Sequence, residues 1–113
     1  MAESITHKEY VLSVRRRAAE IAAGVISGDV PVLEACHSLA ALRREAEIDE
    51  HDPDFVTFAV ISSETDALPV GPVRLQWAQE ALSRIEPEIQ SAVSWATPQA
   101  LPACRSVVQR FGA

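Results

Sequence analysis

The side chains in this chain with the most chemical potential are carboxylates. Positions 45–54, EAEIDEHDPD, hold six of them in ten residues. Asp49, Asp52 and Asp54, with His51 among them, supply the oxygen donors that a hard cation requires. Glu64 and Asp66 follow as a second pair, suited in type to general acid–base work. A metal-dependent enzyme using Asp49, His51, Asp52, Glu64 or Asp66 is therefore one reading. The spacing argues against it, because an EF-hand loop needs a glycine at its sixth position and a glutamate at its twelfth. The run reads better as a solvated linker whose acids favour the N-terminus of the next helix, and its exposed face as an acidic surface for a basic protein. Asp49, Glu50, Asp52 and Asp54 are the candidate partner contacts there.

Other catalytic patterns do not emerge. The chain contains no G-x-S-x-G elbow, no phosphate-binding glycine loop and no H-E-x-x-H. His7, His37 and His51 are far apart in sequence, with no orienting partner evident. No catalytic set, metal or cofactor is expected, and the chain reads as a protein other than an enzyme.

The stretch SETDALPVGPVRLQW at 63–77 is different in kind. Ser63, Thr65 and Asp66 can each bond nearby backbone amides. Pro69 suits the second position of a type I turn that has Gly71 as its fourth. Pro72 can open a short helix that puts Val73 and Trp77 on one side. Arg74 could reach back to Glu64 or Asp66 in a charge-assisted pair. Leu68, Val73 and Trp77 are expected to pin this connector to the core. The competing expectation is an exposed recognition loop anchored by Arg74 or Trp77, residue types enriched at binding hot spots, with Glu64 and Asp66 beside them.

These residues need helices to position them. Thr6 and Glu9 have capping-box spacing, and Val11, Val14, Ala18, Ile21 and Val25 repeat at helical steps, so the spacing predicts a helix over 6–27 that Gly28 ends. Arg15, Arg16 and Arg17 cannot form one patch, because helical neighbours lie about 100° apart. Arg16 should face solvent and Arg15 should sit at the margin of the core. Asp29 and Pro31 suggest the start of a second, antiparallel helix carrying Leu33, Cys36, Ala40 and, one step further, Arg43 on one side. Asp52 as N-cap and Pro53 at the first helical position start a third, with Phe55, Phe58, Ala59 and Ser62 on its face. For FVTFAVI at 55–61 a short buried strand is the alternative. Leu82, Ile85, Ile89, Ala92 and Ala96 keep helical register straight through Pro87, which either kinks one helix or opens another in line with it. Thr97 and Pro98 then read as the cap and first position of a C-terminal helix bearing Leu101, Cys104, Val108 and Phe111, where Pro102 is tolerable only in the first turn. The expected fold is all-α, a compact bundle of four to six helices forming one domain over 1–113. An α+β fold with a strand at about 55–61 is the alternative.

Bulk properties bound the class. The chain has 113 residues, 48% of them hydrophobic, and a net charge of −6, which suits one domain able to bury a core without staples. The negative charge opposes binding to phosphate backbones, so no nucleic-acid partner is expected. Cys36 and Cys104 read as buried thiols of a reducing compartment. MAESITHKEY lacks a basic segment followed by an apolar one, and no apolar run approaches the ~18 residues that a membrane span needs. A soluble, cytoplasmic protein is expected.

Asp54-Phe55, Ser63-Glu64-Thr65-Asp66, Leu68-Pro69-Val70-Gly71, Val73-Arg74, Trp77, Ala81-Leu82 and Glu88-Ile89 together resemble small bacterial proteins of the immunity type found in polymorphic or contact-dependent toxin systems. The resemblance covers about the middle half of the chain. Pro72, Pro87, Pro98 and Pro102 depart from its plainer helical run. It implies an acidic binding protein that neutralises a cognate toxin, and it brings no catalytic residues. A structural or regulatory helical module, a homodimer through its long first helix, is the other non-enzymatic expectation.

Overall fold

The computed structural model describes residues 6–112. Four α-helices and one 3₁₀ helix run in the order α1 (His7–Ser27), α2 (Val32–Leu42), α3 (Pro53–Glu64), the 3₁₀ helix Gly71–Gln76, and α4 (Gln79–Phe111). No strand occurs among the described residues. Residues 55–61, where a strand was the alternative, lie inside α3, so the chain is an all-α bundle.

The starts of α1 and α3 have local causes. Thr6 Oγ1 accepts from the Glu9 amide at 3.1 Å and Glu9 Oε1 accepts from the Thr6 amide at 3.4 Å, the reciprocal capping box. Gly28 ends α1 in the left-handed region at φ +86°, which a side chain would disfavour. The chain then folds back so tightly that a Cβ on Gly24 would run into the Val30 side chain. The start of α2 expected around Asp29 and Pro31 forms at Pro31 rather than at Asp29. Pro31 is the N-cap, without a side-chain bond, while the Asp29 carboxylate accepts from Ser27 Oγ at 2.9 Å. At α3, Asp52 Oδ1 accepts from the amides of Asp54 and Phe55, and Pro53 fills the first position as expected.

The core gathers Val14, Ala18, Ala22 and Val25 of α1, Leu33, Cys36 and Leu39 of α2, Phe55, Phe58 and Ile61 of α3, and Ala96, Ala100, Cys104 and Val107 of α4. Phe55 and Phe58 meet edge to face, centroids 5.2 Å apart. The inner face of α3 is Phe55, Phe58, Ile61 and Thr65. Ala59 is exposed and Ser62 only half-buried, because the true stripe advances by three, three and four residues. The buried alanines of α1 and α4 suit close approach of the two helices.

Helix α4 departs most from expectation. It is one helix of 33 residues with Pro87, Pro98 and Pro102 all in its interior. Thr97 caps nothing: its Oγ1 donates back to the Val93 carbonyl at 2.6 Å, mid-helix. Interior proline removes an intrahelical bond and crowds the carbonyl four residues earlier. The spacings of eleven and four put all three prolines on one stripe, and that stripe is solvent-exposed. The carbonyls deprived of a donor belong to Ser83, Ser94 and Pro98, which are exposed as well, so water can satisfy them. Opening a helix on its solvent side is also the sense in which long helices curve around a core.

The bundle is closed by a clasp between the start of α3 and the end of α4. Arg110 Nη2 lies 2.6 Å from Asp52 Oδ2, and its Nη1 lies 2.8 Å from Asp54 Oδ2. Ser106 Oγ donates to Asp54 Oδ2 at 2.6 Å. The end of α4 is thus tied to the start of α3, fixing the pair antiparallel. The loop before α3 is held too. Arg15 Nε donates to the Ala46 carbonyl at 2.8 Å and Arg43 Nη1 to that of Ile48 at 2.6 Å. Ala46 and Ile48 are buried, so the acidic run is a folded corner rather than a solvated linker. Arg15 lies at the core margin and Arg16 in solvent, as the register predicts.

Two outcomes follow from burial and from the clasp. Burial pushes the Cys36 thiol up to about 12, aided by nearby Cys104, and pushes Cys104 up to about 11, aided by Asp54. Both thiols are free and protonated at pH 8, so a chromogenic disulfide reagent should label them only as fast as the protein unfolds; rapid labelling of the native protein would contradict this burial. The side-chain bond from Arg110 holds the Asp52 carboxyl below its ordinary value of 3.8, with the amides of Phe55 and Asp54 adding to it. The stabilisation is therefore complete above that ordinary value and is lost as pH falls through the lowered native one. Urea unfolding between pH 6 and pH 2 should show this acid loss, and Arg110→Met should flatten it.

Candidate functional site

The 3₁₀ helix and the turn before it form the most unusual surface. Its scaffold is held by hydrogen bonds and burial. Thr65 ends α3, is buried, and donates from Oγ1 to the Ile61 carbonyl at 2.8 Å. The Leu68 amide donates to the Thr65 carbonyl at 3.1 Å, so the closed turn spans 65–68 rather than the expected 68–71. Pro69 is fully buried, and Gly71 at φ +67° starts the 3₁₀ helix against the Glu34 carboxylate.

Arg74 does not reach Glu64 or Asp66. It pairs with Glu86 of α4 at 3.3 Å, and Gln90 donates to the same carboxylate at 3.0 Å. Those contacts, Gln90 first, hold the Glu86 carboxyl below its ordinary range. In a 3₁₀ helix successive side chains point about 120° apart. Turning Arg74 toward α4 therefore turns Val73 and Leu75 away from it. Leu75 is 89% exposed, Val73 43% and Trp77 37%. The expectation that Val73 and Trp77 pin the connector to the core is thus corrected: Leu68 and Pro69 do that, while Val73, Leu75 and Trp77 project.

The charges explain which end of the molecule this is. Around the Arg110 clasp, at the start of α1, the end of α2, the start of α3 and the end of α4, lie Lys8, Arg15, Arg16, Arg17, Arg43, Arg44, Arg105 and Arg110. Against them stand Glu9, Glu20, Glu45, Glu47, Asp49, Glu50, Asp52 and Asp54, eight of each sign among the described residues. At the other end, Arg74 and Arg84 face Asp29, Glu34, Glu64, Asp66, Glu80, Glu86 and Glu88, two bases against seven acids. The negative charge is therefore concentrated around the projecting apolar residues and not at the acidic run.

The eight candidate contacts divide accordingly. Asp49 and Glu50 are exposed on the corner before α3. Asp49 accepts from the His51 amide at 2.7 Å, and Glu50 lies 3.7 Å from His51 Nε2. Asp52 and Asp54 are engaged by Arg110. Glu64 and Asp66 are exposed at the far end of α3, separated from Asp52 by that helix, about 18 Å for 12 residues. Glu64, Asp66, Arg74 and Trp77 share the end of the bundle opposite to Asp49, Glu50, Asp52 and Asp54. Among the described residues no group of three or more His, Cys, Asp or Glu side chains converges as metal ligands would.

His37 has partners that its sequence position did not suggest. Its Nδ1 lies 2.7 Å from Ser62 Oγ and its Nε2 makes a long 3.5 Å contact with Thr65 Oγ1. Thr65 uses its only hydroxyl hydrogen on Ile61, so in the neutral ring Nε2–H donates to Thr65 and Ser62 donates to Nδ1. That pairing has the form of a base beside a hydroxyl nucleophile. The cavity that His37 lines, however, does not include Ser62 in its wall. The pair pins α2 to α3. A groove between α1 and the end of α4, lined by Leu12, Arg15, Arg16, Arg110 and Phe111, is likewise spent: Arg110 is clasped, and Arg15 holds backbone carbonyls.

No helix among the described residues is long and apolar enough to cross a membrane. No protein-family model, curated protein or solved structure matches the chain.

Proposed function

We propose that this chain is a non-catalytic protein-binding module whose acidic end docks a basic protein through Leu75, Val73 and Trp77. The observation that carries the reading is Leu75, a large apolar side chain 89% exposed on a segment held by buried Pro69 and by the Arg74–Glu86 pair. An ordered, solvated apolar residue loses little further freedom on binding and gains its whole burial energy there. An apolar centre on a surface of net negative charge also has the anatomy of a specific interface with an oppositely charged partner.

The narrower form is an immunity-type protein that occludes a basic toxin domain in the cytoplasm. It rests on the same surface together with the sequence resemblance around 63–77. A homodimer meeting through this end is disfavoured, because it would bring two strongly negative surfaces together.

The test is calorimetry with the product of the adjacent gene. Leu75→Asp and Trp77→Ala should each weaken binding by about 2 kcal/mol or more, roughly thirtyfold in Kd, with melting temperature unchanged. Asp49→Asn with Glu50→Gln, at the balanced end, should leave affinity within about twofold. Unchanged affinity in the Leu75 and Trp77 variants would refute the docking surface. If the neighbouring product neither binds nor is toxic when expressed alone, the immunity form is refuted.

A further inference from the structure

Beside the projecting residues, between α2 and the 3₁₀ helix, lies an open cavity of about 420 Å³, within the size range of small-ligand sites. Leu68, Val70 and Val73 give it apolar walls, and Glu34, His37 and Asp66 give it polar ones. The two carboxylates come from different elements, the first turn of α2 and the turn after α3. Neither forms an ion pair or side-chain hydrogen bond among the described residues, in contrast to Asp52, Asp54 and Glu86. The cavity is thus apolar along its sides, negative in charge, and open, with the projecting Val73 in its wall.

Resting on the docking function proposed above, we infer that this cavity is the specificity pocket for one arginine side chain of the partner. A guanidinium carries an aliphatic stem for the Leu68, Val70 and Val73 walls and a planar fork of donors for two carboxylates approaching from different sides. A neutral or acidic side chain would leave both carboxylates uncompensated on closure of the interface, which rejects it. The positive charge that the acidic end attracts at long range is thereby read at short range at one position.

The pocket can be probed without the partner by following amide shifts of the full chain during titration with Nα-acetyl-arginine N-methylamide. The expected result is saturable shifts confined to residues 34–38 and 66–73. The citrulline analogue, equal in shape but uncharged, should give none. Glu34→Gln with Asp66→Asn should weaken arginine binding about tenfold or more, and Asp66→Asn alone serves if the double variant melts early. Absence of saturable shifts, equal shifts with citrulline, or shifts centred on 45–54 would each overturn the assignment. Leu75→Asp separates the two proposals, since it should weaken docking roughly thirtyfold or more and leave arginine binding intact. Arginine binding with docking unmoved by Leu75→Asp refutes the docking surface alone. Docking lost in Leu75→Asp without arginine binding refutes the pocket alone.

Discussion

The arrangement depends first on the Arg110 clasp. A carboxylate that caps a helix already accepts backbone amides, and Asp52 does so for α3 while also receiving a guanidinium from the far end of α4. Asp54 receives the other arm of the same guanidinium and the hydroxyl of Ser106. One interaction thereby starts α3, fixes its partner helix antiparallel and consumes the two innermost acids of the acidic run. Arg15 and Arg43 secure the preceding corner through backbone carbonyls. With eight of the ten bases at this end, most of the net negative charge of the protein is left to the other. Fold closure and the position of the electrostatic surface have a common cause.

Helix α4 connects the two ends. Thirty-three residues at 1.5 Å each span about 50 Å, and the molecule's longest dimension is 51 Å. Three interior prolines would break a helix whose orphaned carbonyls were buried. Here they lie on the solvent stripe, where water replaces the missing donors. The alternative, a break at Thr97, would split the buried stripe of Ile89, Ala96, Ala100, Ala103 and Val107. Packing of that stripe outweighs local propensity, as tertiary context commonly does.

Much of the fold was legible in the sequence, and for physical reasons. The capping box at Thr6, the glycine at 28 and the Asp52–Pro53 start are local devices, complete within four residues, so pattern alone finds them. What escaped depends on distance. Thr97-Pro98 has the local form of a helix start, and only the position of its side chains relative to the core shows that the helix passes through. The sequence suggests for Arg74 the acids of the preceding turn, Glu64 and Asp66, whereas its partner, Glu86, is brought near by the return of α4. Leu75 escaped because 63–77 was read with α-helical spacing, which groups Val73 with Trp77; a 3₁₀ turn groups residues by three and turns Leu75 outward. The acidic run drew attention because six carboxylates in ten residues are conspicuous, but its compensation by eight bases comes from three other helices. His37 and Glu34 belong to α2, some thirty residues before the turn they face.

The central claim is that the acidic, apolar-tipped end, and not the acidic run, meets the partner. A photo-reactive amino acid placed at Leu75 in one version of the chain and at His51 in another, irradiated in cells co-expressing the adjacent gene, tests it directly. Crosslinks to that gene's product from position 75 and none from position 51 are the predicted result. Crosslinks from 51 with none from 75 would contradict the account and return the binding surface to the acidic run.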